Sequence, residues 1–361
     1  LMNLQTVKKY MPSWLKKVLI RPYRILRALR YRFDPNQYAL RTGNEADVFS
    51  ELEEVNSLPE IFHYWSNRYL RPQLEDFGFS HPDEFFKYYA CKAQQQKKHQ
   101  NPLRILSIGA GNCDTEIKLA KNLLGDGIQS LTIVCMDINQ AMFKRGLESA
   151  EKEGVANHLT FLQADFNSWE SDDFYDLIIA HQSLHHVVEL EHLFAEIKKS
   201  LPAEGFFITS DIIGRNGHQR WPEAVKVLKK IWQQMPPRYR YNHQLNKEQK
   251  KYVNHDCSSD SFEGIRAQDI LPLLIKNFHF ETFIPFANLI LIFIDRGLGP
   301  NFDVNNPEDL AFIDRIHQLD EELMLAGTIQ PTQLMAAMQL KPNENIRLRH
   351  PKLTPEFCLR Q

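Results

Sequence analysis

From Leu103 onward the chain alternates short apolar or β-branched runs with stretches of helical periodicity. The pattern predicts strands at Arg104–Ile108, Leu131–Met136, Thr160–Gln163, Tyr175–His181 and Phe206–Ile212. Helices are expected at about Asp114–Leu124, Gln140–Glu153 and Leu190–Leu201. Strands that are apolar throughout, with no polar alternation, are those covered on both faces. Their alternation with helices marks a doubly wound α/β sheet. Two later apolar runs, Phe280–Pro285 and Leu289–Asp295, lie close enough together to form a terminal antiparallel hairpin.

The flanks read differently. The first 33 residues hold nine basic side chains and no acidic one, with Arg21, Arg24, Arg27 and Arg30 in steps of three beside an apolar stripe. Such a segment can dock on its own domain with its charges solvated, or lie as a peripheral contact on an anionic membrane surface. From Glu45 to Gln100 the pattern is helical, with aromatic anchors such as Phe62, Trp65, Phe86 and Tyr88. Past Gly299 it is helical again, with Asn306 as a cap, Pro307 at the first position and Gly327 beyond the end. The expected division is therefore 1–44, a basic amphipathic segment; 45–100, a helical lid; 101–298, the α/β core with a helical insertion at about 214–274; and 299–361, a helical extension.

The chain has 361 residues, 43% of them hydrophobic, and a net charge of −2. That suffices for a well-filled core with additions and excludes a disordered chain. Outside the N-terminal block the basic residues are interspersed with acids, so no nucleic-acid partner is expected. Five scattered cysteines suggest a reducing, cytoplasmic setting. The longest apolar runs fall short of a membrane span, and the N-terminus lacks the pattern of a secretory signal.

The candidate chemistry begins in RILSIGAGNCDTEIKLAKNLL, a strand, a turn and a helix. Gly109 and Gly111 let the backbone turn sharply and approach a ligand, and the helix presents free N–H groups. Asp137 ends the second strand, where a carboxylate can accept both hydroxyls of a ribose. Asp165 follows the third strand, with Phe166 beside it. Either acid alone could be a turn residue. The pair in register with successive strand ends points to a nucleoside cofactor.

These residues resemble the class I S-adenosylmethionine-dependent methyltransferases, over about Leu103 to Asp295. The resemblance implies a Rossmann-like sheet of seven strands, five parallel plus the hairpin, and S-adenosylmethionine as cofactor. It implies that Gly109 and Gly111 face the methionine moiety, that Asp137 holds the ribose with Ile138 and Met142 flanking, and that Asp165 and Phe166 bind adenine. His181 and Gln182 then lie beside the sulfonium. The family's glycine motif opens with an acid where this chain has Ser107; Asp114 or Glu116 could offer a substitute carboxylate, though each is also an ordinary first-turn acid. Cys113 stands where a third glycine is common in that family. A nicotinamide dehydrogenase is disfavoured because its third fingerprint glycine is absent and the chain shows no separate catalytic domain with a hydride-transfer signature.

On the acceptor side, the loop HQSLHHVVELEH supplies His185 and His186 as candidate bases, His186 preferred. Capping or packing of the next helix is the alternative for each. No nearby cysteine or carboxylate completes a zinc set, so no metal is expected. The stretches GRNGHQRWP and EGIRAQDILP resemble a bacterial subgroup associated with polysaccharide and secondary-metabolite genes. There His218, Trp221, Glu263 and Arg266 could contact a polar or flat acceptor, or Glu263 and Arg266 could form an internal ion pair. The function expected is methyl transfer to an oxygen or nitrogen of a small-molecule or glycan-like acceptor. The alternatives are methylation of RNA or protein, and a binding protein without turnover.

Overall fold

The computed structural model describes residues 58–97, 102–259, 261–343 and 345–360, together with Tyr38. All but Tyr38 belong to the compact unit Phe49–Gln361. The basic segment expected over 1–44, apart from Tyr38, and the start of the lid at 45–57 lie outside the described residues. Among the described residues no helix is long and apolar enough to cross a membrane.

The core is built from β1 (Leu103–Ile108), β2 (Leu131–Asp137), β3 (Leu159–Gln163), β4 (Leu177–His181) and β5 (Phe206–Ile212), all parallel. Helices α4 (Asp114–Gly125), α5 (Gln140–Lys152) and α6 (Leu190–Ser200) connect them. Beyond β5 lie α7 (Pro222–Gln234), a short hairpin of β6 (Tyr241–Asn242) and β7 (Lys247–Glu248), α8 (Ala267–Asn277) and β8 (His279–Phe286). Then come α9 (Leu291–Ile294), α10 (Pro307–Leu325), β9 (Gln333–Gln339) and β10 (Arg347–Leu348). The large sheet has eight strands in the order β10-β8-β9-β5-β4-β1-β2-β3. Only β9 runs against its neighbours. The order reverses between β1 and β4, and the crevice outside the carboxyl ends of these strands is where doubly wound sheets bind ligands.

The sheet corrects the expected hairpin. Leu289–Asp295 is not the antiparallel strand: its centre is the short helix α9, and the buried Asp320 carboxylate accepts the N–H groups of Asn288 (2.8 Å) and Leu289 (2.7 Å) just before it. A short apolar run does not by itself distinguish strand from buried helix. The antiparallel strand is β9, from the segment expected to be wholly helical. Its LMAAM is fully buried between β5 and β8. Ala and Met favour helix intrinsically, and ladder pairing on both edges overrides that preference. The cap at α10 is as the sequence suggests, with Asn306 Oδ1 accepting the Glu308 N–H at 2.9 Å.

The described part of the segment expected as a lid consists of α1 (Glu60–Trp65), a π-helical turn (Ser66–Leu70), α2 (Arg71–Glu75) and α3 (Pro82–Gln96). His81 caps α3 and Pro82 occupies its first turn. Phe85, Phe86 and Tyr89 bury one face of α3 completely. The Phe86 ring meets His181 edge to face at 5.1 Å, which brings the lid onto the end of β4. On the other side Tyr64 donates to Asp314 at 2.9 Å, and Tyr69 stacks on His317 at 3.8 Å between centroids. The lid is thus pinned to both the sheet and α10.

Candidate active site

The turn after β1 is shaped by backbone that favours glycine. Gly109 and Gly111 have φ of +71° and +55°. A Cβ on Gly109 would stand 2.6 Å from the Ser183 Cβ, so the turn is pressed against the loop after β4. Gly111 donates its N–H to Asp137 Oδ2 at 2.9 Å, and Asn139 donates to Oδ1 at 2.9 Å. Asn139 in turn caps α5 through Ala141. The Asp137 carboxylate is therefore fixed at the tip of β2. Burial raises its pKa, against the pull of these N–H donors. Met142 is buried against Gly111, and Ile138 follows Asp137 with its carbonyl accepting from Gln163.

Ser107 and Glu116 form one unit. The Ser107 hydroxyl donates to Glu116 Oε1 at 2.5 Å. The first-turn acid thereby reaches back to the strand position the resemblance assigns to an acid. Its other oxygen, Oε2, is buried with no partner. Burial raises this carboxyl to about 7, with the Ser107 hydrogen bond opposing. A buried acceptor without a donor is costly unless a ligand supplies one.

Asp165 accepts from the backbone N–H and side-chain amide of Asn167 at 2.9 and 3.1 Å. Asn167 Oδ1 then accepts from Val188 and Glu189, tying this loop to the start of α6. Phe166 is half-buried against the core beside it.

The loop after β4 is organised by an acid the sequence reading did not single out. Asp211, fully buried at the end of β5, accepts from Ser183 and Leu184 N–H at 2.8 and 2.7 Å. Its Oδ1 lies 2.6 Å from His185 Nδ1. Burial pushes the Asp211 carboxyl up, but His185 and the backbone donors outweigh it and hold it low. His185 is buried, which lowers its own pKa despite Asp211. Facing it from the insertion is Glu263, with Oε2 at 3.6 Å from His185 Nε2, Oε1 at 3.7 Å from His186 Nε2, and Oε2 at 2.7 Å from His218 Nε2. Burial alone would raise Glu263; the three imidazoles bring it down to about 2. A cluster assembled from β4, β5 and the insertion has no local signature in the sequence.

His181, Gln182 and His218 line a cavity of about 1040 Å³, together with the lid turn Ser66–Leu70 and residues of the insertion. His181 Nδ1 is buried without a partner, and burial lowers its pKa. Gln182 stands at φ +51° and donates to the Ser210 carbonyl. Arg220, buried beneath the cavity, donates to the Asn288 and His218 carbonyls.

Two residues expected at the acceptor are elsewhere. The Arg266 guanidinium is held by both Glu191 oxygens, by Asp269 and by the Val188 carbonyl, an internal tie made with acids other than Glu263. Trp221 borders a separate cavity of about 360 Å³, with Arg360 over its ring at 4.5 Å. Their charge and ring are taken up by near neighbours.

A parallel sheet with one reversed strand, a glycine turn under a helix N-terminus and acids at successive strand ends make a Rossmann-like fold. Residues 99–274 match the family model described as a methyltransferase domain. The chain is 26% identical over 139 residues to the ubiquinone/menaquinone biosynthesis C-methyltransferase UbiE of Proteus mirabilis, covering 38% of this chain and 51% of that protein. It is 22% identical over 160 residues to the ubiquinone biosynthesis O-methyltransferase of Rickettsia prowazekii, covering 44% and 58%. The chain thus spans about half the length of the curated relatives it matches. Among solved structures it is similar to the O-methyltransferase from the trans-AT polyketide multienzyme of Brevibacillus brevis in complex with S-adenosyl-L-homocysteine, with 14% identity, 75% of each chain covered and a TM-score of 0.38.

The residues present fit the cofactor. The partnerless, buried Glu116 Oε2 suits an ammonium. Gly109→Ala is expected to cost stability through both its φ and the Ser183 clash, about 2 kcal/mol or more. Gly127→Ala, with φ of +87° and nothing within 4 Å, is the control for φ alone. Equal denaturant midpoints in the two variants would show that the close approach is unimportant.

Proposed function

We propose that this chain transfers the methyl group of S-adenosylmethionine to an oxygen or nitrogen of a small-molecule or glycan-like acceptor. The observation that carries the reading is the juxtaposition of Glu116, Asp137 and the Gly109 turn at adjacent strand ends, with a large cavity opening at His181 and Gln182. In it, Glu116 meets the methionine ammonium, Asp137 the ribose hydroxyls, and Asp165 with Phe166 the adenine. The cofactor supplies a carbon already activated by sulfonium. The protein has to align the acceptor and keep water out. The cavity volume of about 1040 Å³ is at the upper end for small-ligand sites. Its walls mix Phe62, Leu70 and Trp232 with Asn67, Asn242 and Asn254. That mixture supports a bounded acceptor with both apolar and polar parts.

His218 reaches this cavity, and behind it stand Glu263, His186 and His185. In this reading the cluster orients the acceptor. His185 is locked by Asp211, so His186 and His218 are the members closer to that task. His186→Ala is expected to slow transfer at least about tenfold while S-adenosylhomocysteine affinity stays the same. A normal rate would make His186 a packing residue. The relatives' names include a C-methyltransferase, which makes a carbon acceptor the second reading.

Calorimetry with S-adenosylmethionine and S-adenosylhomocysteine tests the function. Binding of both is expected, and binding of neither would overturn the proposal.

A further inference from the structure

The group formed by His185, His186 and Glu263 is more ordered than acceptor positioning requires. Two imidazoles come from the turn after β4 and one carboxylate from the insertion. One ligating atom of each lies within 4.8 Å of the others. The nitrogen to oxygen separations are 3.6 and 3.7 Å. The two distances run to different oxygens of Glu263; tetrahedral sites with bonds of about 2.0–2.1 Å place neighbouring ligand atoms about 3.4 Å apart, so a set lying within 4.8 Å closes around a cation by side-chain shifts of about 1 Å.

The surroundings hold His185 and Glu263 in place. The ionised Asp211 can only accept, so His185 donates through Nδ1 and turns the lone pair of Nε2 toward Glu263. That carboxylate–histidine arrangement is the usual support for a metal-bound imidazole. Asp211 is itself pinned by three backbone N–H groups, those of Ser183, Leu184 and Ile212. Glu263 is held from behind by His218 at 2.7 Å. The two carboxylates bring two negative charges into one cluster of imidazoles. One divalent cation would cancel them.

We propose that His185, His186 and Glu263 bind a divalent transition-metal cation of the zinc type, with Asp211 and His218 as supporting partners and a further coordination position left for solvent or substrate. Two nitrogens and one carboxylate suit zinc and its first-row neighbours, whereas magnesium and calcium prefer oxygen throughout. Three protein ligands leave the open position typical of catalytic sites. His218 links the cluster to the acceptor cavity, so the bound cation stands next to the acceptor. The inference deepens the methyltransferase reading, but the site is defined without the cofactor.

The test is metal binding by the full chain, stripped with chelator and without cofactor or acceptor. Calorimetric titration with zinc chloride is expected to give one site per chain with micromolar or tighter affinity. Cobalt(II) is expected to give visible absorption bands of a low-symmetry nitrogen and oxygen site. His186→Ala combined with Glu263→Gln is expected to abolish both, with folding checked by circular dichroism. Asp211→Asn is expected to weaken binding by about 10–100-fold. No zinc binding in that range, or binding unchanged in the double variant, would overturn the proposal. Homocysteine-form cofactor binding, measured separately, tells this failure apart from failure of the methyltransferase reading: a chain that binds the cofactor product but no zinc has lost only the metal.

Discussion

Asp137→Ala is expected to weaken S-adenosylhomocysteine binding at least about 100-fold. The carboxylate ends β2 with one oxygen on Gly111 N–H and the other on Asn139 N–H, and each oxygen keeps the capacity to accept a further hydrogen bond. Each ribose hydroxyl donated to an ionised acceptor contributes about 1.5–3 kcal/mol, so losing two amounts to about 3 kcal/mol or more. Because the same carboxylate fixes the glycine turn, alanine also loosens the loop. Asp137→Asn separates these effects, since its amide oxygen can keep one backbone contact. The asparagine variant is expected to fall between wild type and alanine in calorimetry. Unchanged affinity in both variants would move the ribose contact to another residue.

Glu116→Gln is expected to weaken the same binding by roughly 100-fold at pH 8 and to stabilise the unliganded protein there. Burial raises the Glu116 carboxyl to about 7. A folded-state value above the unfolded one means that the folded chain holds the proton more tightly, so its stability falls as pH rises from about 4.5 through about 7. Above that range the ionised, buried carboxylate is a standing cost, and glutamine removes it while its oxygen can still accept from Ser107. Binding has the opposite sign. A ligand ammonium selects the ionised form, so wild-type affinity is expected to climb up to about tenfold per pH unit on the acid side of the transition and then level off. In Glu116→Gln that slope should vanish. Equal affinity and equal pH profiles in the two proteins would show that this carboxyl does not meet the cofactor.

The five parallel strands were legible because each is a short apolar run closed by a turn. The crevice was legible for a related reason: Gly109, Asp137 and Asp165 stand where strands end, and strand ends can be counted along a sequence. Glu116 is a subtler case. The sequence offered it, or Asp114, as a substitute carboxylate that could equally be a first-turn acid, and its turn back toward Ser107 appears once the helix is placed against β1. The reversed strand β9 was hidden by residues that favour helix. Asp211 was not singled out, and the meeting of His185, His186 and Glu263 was hidden by distance along the chain, because no periodicity signals that the end of β5, the turn after β4 and the insertion converge. Trp221 and Arg266 show the converse, side chains whose chemistry suits an acceptor but whose partners, Arg360, Glu191 and Asp269, lie on neighbouring elements.

The placement of β9 has a consequence for how the protein is made. The outer edge of β5 carries the Asp211 end of the site, and its neighbour in the ladder begins only at Gln333. During synthesis the five parallel strands leave the ribosome well before the strand that covers them. Until then β5 presents an open ladder edge, the kind of surface that pairs with other chains. Completion of the fold waits on a contact between distant parts of the chain, which slows folding and lengthens exposure. A nascent chain halted between β8 and β9 would hold every proposed cofactor residue, from Ser107 to Gln182, and still have a sheet able to recruit the wrong partner.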